Sequence, residues 1–447
     1  MPAIRGIRKP FPRRERRRPD PALAERQRAK RPRAPQRGSI RTIGLGLITG
    51  ASDDDPSAIG TYAAAGAAFG PSFLWVAPAA FPMMFAVVYL SSKIGQVAGQ
   101  GLFAVIRQHY SRKLLMFLLA TAVIGNIIEA GADLVGMAAA LNLLVPIPVP
   151  ALVAGLAVAV YLLQLRSYTT LRDAFRWISL ALFAYLAAAL LARPKLSAVV
   201  MGTLVPRVHF TRDFLAMLVA VIGTSLSAYL YSWQSNQDVE EDISMGRRRL
   251  TDRAGTTEAE LQHSRRDIAV GMGFAALIIY FIILSTAATL FSAGKTEITS
   301  AAQAARALQP LAGRAAGVLF AVGVVGVGML AVPVMTIGAA FDACQSFGWK
   351  HGLHAPIREA KPFYAAITLF TLAAIGLNYF GINPMKALVY AGIIQGLSTP
   401  FLLLIVMRIS NDKKVMGPWV NTRRMNVLGW VTTAAMFAAT AGLLLTF

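Results

Sequence analysis

Charge is what this chain has least of. Of its 447 residues only 15% are Asp, Glu, Lys or Arg, while 55% are hydrophobic. Soluble globular domains carry about 25% charged residues. The deficit excludes an ordinary soluble domain and points to a chain that crosses a bilayer many times. Cysteine is nearly absent. Cys344 stands alone, which rules out an internal disulfide, and one thiol in an apolar run reads as packing. Histidine is scarce too: His109, His209, His263, His351 and His354 all fall in predicted loops or at span edges. None is placed as a proton carrier at membrane depth. There is no nucleophile–base set, no phosphate loop and no metal-binding His pair, so neither an enzyme nor a resident cofactor is expected. No apolar run follows the N-terminus, and a cleavable signal peptide is not expected.

The charge that is present is lopsided. The net charge is +22, and fifteen of the 44 Lys and Arg residues lie in residues 1–41. Residues 1–40 are rich in Arg and Pro without an apolar pattern, which predicts a basic, disordered cytoplasmic tail. Such a tail reads as a positive-inside anchor or a membrane-surface tether rather than a nucleic-acid arm, and no nucleic-acid partner is expected. Residues 41–447 form the membrane domain. Eleven apolar spans are predicted at 43–69, 72–92, 114–144, 149–165, 174–192, 214–238, 268–292, 315–342, 363–380, 384–407 and 425–446. With the N-terminus inside, only Arg193, Lys195, Arg207, Arg212, Lys295, Arg306, Arg314 and Lys386 fall on the outer side. That bias fits the positive-inside rule and an odd number of spans. The chain is thus expected to be a multi-pass plasma (inner) membrane protein with a cytoplasmic N-terminus and an outer C-terminus.

The first span holds the feature that sets the rest. It runs I-G-L-G-L-I-T-G-A-S-D-D-D-P-S-A-I-G-T-Y from Ile43, with Asp53, Asp54 and Asp55 ahead of Pro56. An acidic residue at mid-bilayer costs roughly 2.5–3.5 kcal/mol on insertion scales. Proline lacks the amide donor and disfavours helix at the preceding residue. The helix should break near Asp55, and a broken helix at that depth is tolerated only where it lines a cavity or packs within protein. Two half-helices meeting at acids make a point that attracts a cation. The sixth span repeats the theme with Gly223, Thr224, Ser225 and Ser227 at its middle. Interrupted helices in corresponding positions point to two inverted repeats. The expected fold is an all-α membrane protein of about eleven helices: repeat one over 43–192, repeat two over 214–407, and an extra helix over 425–446. Helices one and six are the broken ones. In span three, Asn126, Glu129 and Asp133 share one helix face by spacing. Gln395 and Ser398 in span ten either line the same cavity or pack. The acidic run Asp238, Glu240, Glu241 and Asp242 closes span six as a vestibule or a solvated helix end.

These pieces resemble the natural resistance-associated macrophage protein (NRAMP) superfamily, most closely its prokaryotic magnesium-transporting branch. They are G-L-I-T-G-A-S-D-D-D-P-S-A-I-G-T-Y, N-I-I-E-A-G-A-D-L, G-T-S-L-S-A-Y-L-Y-S-W-Q-S and I-N-P-M-K-A-L-V-Y-A-G-I-I-Q-G. The resemblance implies the broken-helix, LeuT-like inverted-repeat fold and divalent metal transport. The family's transition-metal members carry Asp-Pro-Gly-Asn in span one; here Asp55 and Pro56 match, but Ser57 and Ala58 follow. Their span-six Met-Pro-His is replaced by Ser227, Ala228 and Tyr229, and a later His by Gln234. The soft ligand and the His positions tied to proton coupling are gone. Carboxylate, carbonyl, hydroxyl and water suit Mg²⁺, which gives up its waters reluctantly. The expected metal-site residues are Asp55 as main ligand, Thr224 (through its carbonyl) and Ser227 opposite, and Asp54, Glu129, Asp133 and Gln395 around them. The expected cargo is partly hydrated Mg²⁺, with Mn²⁺ also carried, taken up by a monomer without proton coupling. Two other readings compete: a proton-coupled Mn²⁺/Fe²⁺ importer of the same fold, and a sodium-coupled carrier of organic solutes. Three adjacent acids would repel the carboxylate of an amino-acid substrate, which speaks against the latter.

Overall fold

The computed structural model describes residues 44–298, 300–379 and 384–446. The basic tail expected at 1–40 lies outside them, as does the Gln395 side chain. Every described element is helical.

The first apolar span is two helices. α1 (Leu45–Asp53) stops at Asp54, whose backbone leaves helical geometry at ψ 48°. Asp55 is extended at ψ 166°, and α2 (Pro56–Phe69) starts on the proline. The sequence dictates this local form. Pro56 needs no amide partner at a first helical position, and the Asp55 side chain accepts from the Ala58 amide as an N-cap. The next elements are α3 (Val76–Ala98), the short α4 (Leu102–His109), α5 (Arg112–Asn142), α6 (Val149–Gln164) and α7 (Tyr168–Leu191). α7 tightens to a 3-10 turn at Ser179–Leu182, which periodicity did not foretell. α8 (Leu196–Leu204) lies beyond the predicted spans.

The second repeat opens with the other interrupted span. α9 (Arg212–Thr224) ends where Ser225 and Leu226 leave the helix, and α10 (Ala228–Ser244) begins after an extended Ser227. Then follow α11 (Glu258–Thr289), α12 (Ala301–Ala312), α13 (Arg314–Phe347), α14 (Lys361–Tyr379), α15 (Pro384–Asn411) and α16 (Arg423–Thr446). All eleven predicted spans coincide with helices or a pair of half-helices. Among the described residues seven helical stretches, Arg212–Ser244 counted across its interruption, are long and apolar enough to cross a membrane, with Val149–Gln164 a shorter apolar helix. The end at which α1 begins is called inner below, after the charge asymmetry.

α5 packs along α13 and α15, and α11 carries both halves of the first span. The α1–α11 contact is unusually close. A Cβ on Gly50 would stand 2.1 Å from the Gly271 carbonyl oxygen, and one on Gly271 only 1.8 Å from that of Gly46. Small residues let membrane helices approach at backbone distance, and here three glycines do so. Asp267 of α11 then accepts from the Gly44 amide at 3.1 Å and the Gly46 amide at 2.7 Å. A carboxylate thus satisfies the open amides at the start of α1 and complements its dipole. α1 is fixed at its inner end by Asp267 and along its length by glycine contact.

Candidate metal centre

The break in the first span carries the site. Asp53, Asp54 and Asp55 are all fully buried, although nothing cationic is bonded to them. Asp55 is the pre-positioned member. Its Oδ1 accepts from Ser57 Oγ at 2.5 Å and the Ala58 amide at 2.7 Å. Its Oδ2 accepts from Tyr229 Oη at 3.2 Å. Hydrogen bonds to a charged group contribute about 1.5–3 kcal/mol each, so three of them hold this carboxylate in one orientation. A carboxylate offers about four lone-pair sites, which leaves one on Oδ2 for a ligand.

Asp53 and Asp54 are different. Neither makes a hydrogen bond through either side-chain oxygen. The charges acting on Asp53 are those of Asp54, Asp55 and Glu129. Buried charges are ordinarily paired or bound to metal, so the two unpartnered carboxylates mark the place where positive charge is wanted. The run was legible in the sequence, but Asp53 was not singled out from it as a site residue. Its position as the last residue of α1, on the break itself, is the signal that could have done so.

α5 supplies the opposite wall. Asp133 Oδ1 accepts from the Ser57 amide at 3.1 Å, and its Oδ2 has no protein partner. Glu129 is buried one turn earlier, and its charge acts on both Asp53 and Asp133. The shared face predicted for Glu129 and Asp133 is therefore turned toward the break.

The second interruption faces the first through tyrosines. Tyr229 Oη donates to the Ser52 carbonyl at 2.7 Å as well as to Asp55. Tyr62 of α2 pairs with Ser225 Oγ at 3.1 Å. Tyr231 Oη closes the α9–α10 gap by donating to the Leu226 carbonyl. Tyr229 thus positions the main carboxylate, a role that its place in the motif did not reveal. Ser227 Oγ is turned back on its own chain, donating to the Thr224 carbonyl at 2.8 Å. A carbonyl has two lone pairs, so Thr224 keeps one for a further donor or an ion. Below the break, Thr49 Oγ1 donates to Gln234 Oε1 at 2.6 Å, and Ser92 Oγ donates to Asp238 Oδ2 at 2.7 Å. These bonds tie α1 to α10 and α10 to α3.

Among the described residues no three His, Cys, Asp or Glu side chains converge as direct ligands of one metal ion. A cation at the break would meet one or two carboxylates at a time, with carbonyls, hydroxyls and water completing its shell. That arrangement suits a hard ion that keeps part of its hydration.

Residues 46–446 match the family described as natural resistance-associated macrophage protein-like. A divalent metal cation transporter, MntH, of Deinococcus radiodurans is 30% identical over 416 residues, covering 90% of this chain and 89% of that protein. A crystal structure of the Eremococcus coleocola manganese transporter superposes with a TM-score of 0.70 at 18% identity, over 91% of this chain and 87% of that one. The nucleobase-cation-symport-1 family transporter Mhp1 has a TM-score of 0.56 at 13% identity, over 91% and 93% of the two chains. The last two likenesses concern the fold: a bundle built around two interrupted helices. The chain is therefore a transporter and not an enzyme, and it belongs to the natural resistance-associated macrophage protein family.

Proposed function

We propose that the chain takes up divalent metal ions across the plasma (inner) membrane, chiefly Mg²⁺ in partly hydrated form, with Mn²⁺ also carried. The observation that carries this reading is the set of buried carboxylates at the break, opposite a second break that offers only oxygen. Asp55 is the main ligand. Asp54, Glu129 and Asp133 hold the surrounding negative charge, and Thr224 with Ser227 provides neutral oxygen. Gln395 belongs to the same proposed set. The relatives support the class of cargo: one is named a divalent metal cation transporter and another a manganese transporter. The choice of Mg²⁺ rests on ligand chemistry, since thioethers favour softer metals and this site has none. Transport is read as uncoupled from protons, because Tyr229 and Gln234 stand where coupled members carry His. The protein works as a monomer with its N-terminus inside and its C-terminus outside, and with 43–192 and 214–407 as inverted repeats.

The test is uptake by proteoliposomes of Mg²⁺, Mn²⁺, Ca²⁺ and amino acids, with and without a pH gradient. Saturable Mg²⁺ and Mn²⁺ uptake that does not acidify the lumen is expected. Asp55→Ala should abolish it while the protein stays monodisperse. Near-normal uptake in that variant would remove Asp55 from the site.

A further inference from the structure

The break does not contain every unpartnered carboxylate. Asp342 lies on α13, five residues before its inner end at Phe347. It is 1% exposed, and neither of its oxygens has a hydrogen-bond partner. The polar side chains acting on it are those of Ser232 and Asn236 of α10. Other unsatisfied groups stand on the same two helices. Asn236 Nδ2, Gln237 Nε2 and Ser346 Oγ are all buried without a partner, and Ser346 follows Asp342 by one helical turn.

The orientation of Asn236 is built. The Ala104 amide of α4 donates to Gln345 Oε1 at 3.2 Å. Gln345 Nε2 in turn donates to Asn236 Oδ1 at 2.6 Å. A backbone donor fixes one amide, that amide fixes the next, and the remaining Nδ2 hydrogens of Asn236 stay available on the Asp342 side. Three elements, α4, α10 and α13, are thereby committed to orienting a donor group beside one carboxylate. A packing contact would not need such a relay, and an apolar residue would avoid burying an unpaired acid.

Its place along α10 gives it a use. Ser232 and Asn236 lie five and nine residues past Ser227, so at 1.5 Å per residue Asp342 sits roughly 7–14 Å inward of the break. Its helix, α13, packs on α1. We propose that Asp342 is a second, inner cation station. It receives the hydrated divalent ion after it leaves the break and before it reaches the cytoplasm. One carboxylate with two neighbouring hydroxyls, Ser232 and Ser346, supplies too few oxygens for a bare ion but suits one that keeps its water shell. The inference rests on the divalent-carrier reading of the break and assigns a residue outside the proposed first site.

The test counts Mn²⁺ ions bound by the purified full-length chain, by electron paramagnetic resonance of free Mn²⁺. Uptake into proteoliposomes is measured alongside. Wild type should bind two equivalents. Asp342→Asn, which keeps the shape, should bind one and keep the tighter one, while Asp55→Asn should lose the tighter one. Maximal uptake by Asp342→Asn should fall about tenfold with KM changed less than about twofold, the pattern of a lost step after binding. A single equivalent in wild type overturns the proposal without any variant having to fold. Two equivalents with wild-type uptake in Asp342→Asn also overturn it. No bound Mn²⁺ in wild type overturns the divalent-carrier reading together with it, which separates the two failures.

Discussion

Hydrogen bonding divides the three adjacent acids into two kinds. Tyr229 ties Asp55 to the Ser52 carbonyl and to the opposite helix, while Asp53 and Asp54 make no side-chain hydrogen bond. Tyr229→Phe removes both bonds and little volume. We expect uptake to fall by roughly 5–30-fold at saturating metal, the effect of losing about 1–2 kcal/mol of positioning. Unchanged uptake in that variant would show that Asp55 needs no support from α10. A second prediction concerns ion choice. Ser227→Met puts a soft ligand at the second break and also frees the Thr224 carbonyl from its present donor. With Ala58→Asn added, relative uptake of Cd²⁺ over Mg²⁺ should rise. Competition uptake at fixed total metal reads it, and an unmoved ratio would take these two positions out of the ion's shell.

At the scale of elements, the interruption in the first span was legible because Pro56 and three acids cannot continue a membrane helix. The one in the second was legible because Gly, Thr and Ser cluster at mid-span. The face shared by Glu129 and Asp133 followed from spacing alone. What the sequence hid was contact between distant segments. Nothing local says that Tyr229 reaches Asp55, or that Asp267 caps a helix 221 residues earlier. Asp342 was overlooked for a related reason: it stood at the predicted edge of span eight, where an acid looks solvated, while the helix runs on to Phe347. The α1–α11 contact yields the third prediction. A side chain at Gly271 would collide with the Gly46 backbone, so Gly271→Val must push α1 away while leaving α11 helical. Thr49 is fully buried. A cysteine placed there in a Cys344→Ser background should resist thiol reagents, and it should become reactive when Gly271→Val is added. Protection in both backgrounds would mean that the Asp267 cap alone holds α1.

For the whole molecule the open question is orientation, and charge placement answers it only through statistics. On the orientation expected from the sequence, the eight outer cations fall in several short loops, whereas the tail and the long connection between α10 and α11 fall inside. That connection is an ordered structure. Arg247 donates to Asp242 at 2.8 Å and to Glu260 at 2.5 Å, and Arg253 donates to the Gly99 carbonyl at 3.1 Å. It binds the ends of α10, α11 and α3 together. Positively charged connections resist translocation, so this segment should stay inside, and α12 should lie outside. Cysteines introduced at Thr256 and Gln303, in the Cys344→Ser background, should react with a membrane-impermeant reagent from opposite faces in sealed vesicles. Thr256 is largely covered, so its labelling should be the slower of the two and should speed up when Arg253→Ala loosens the connection. Labelling of both sites from one face would break the odd span count. The C-terminus would then move to the cytoplasm.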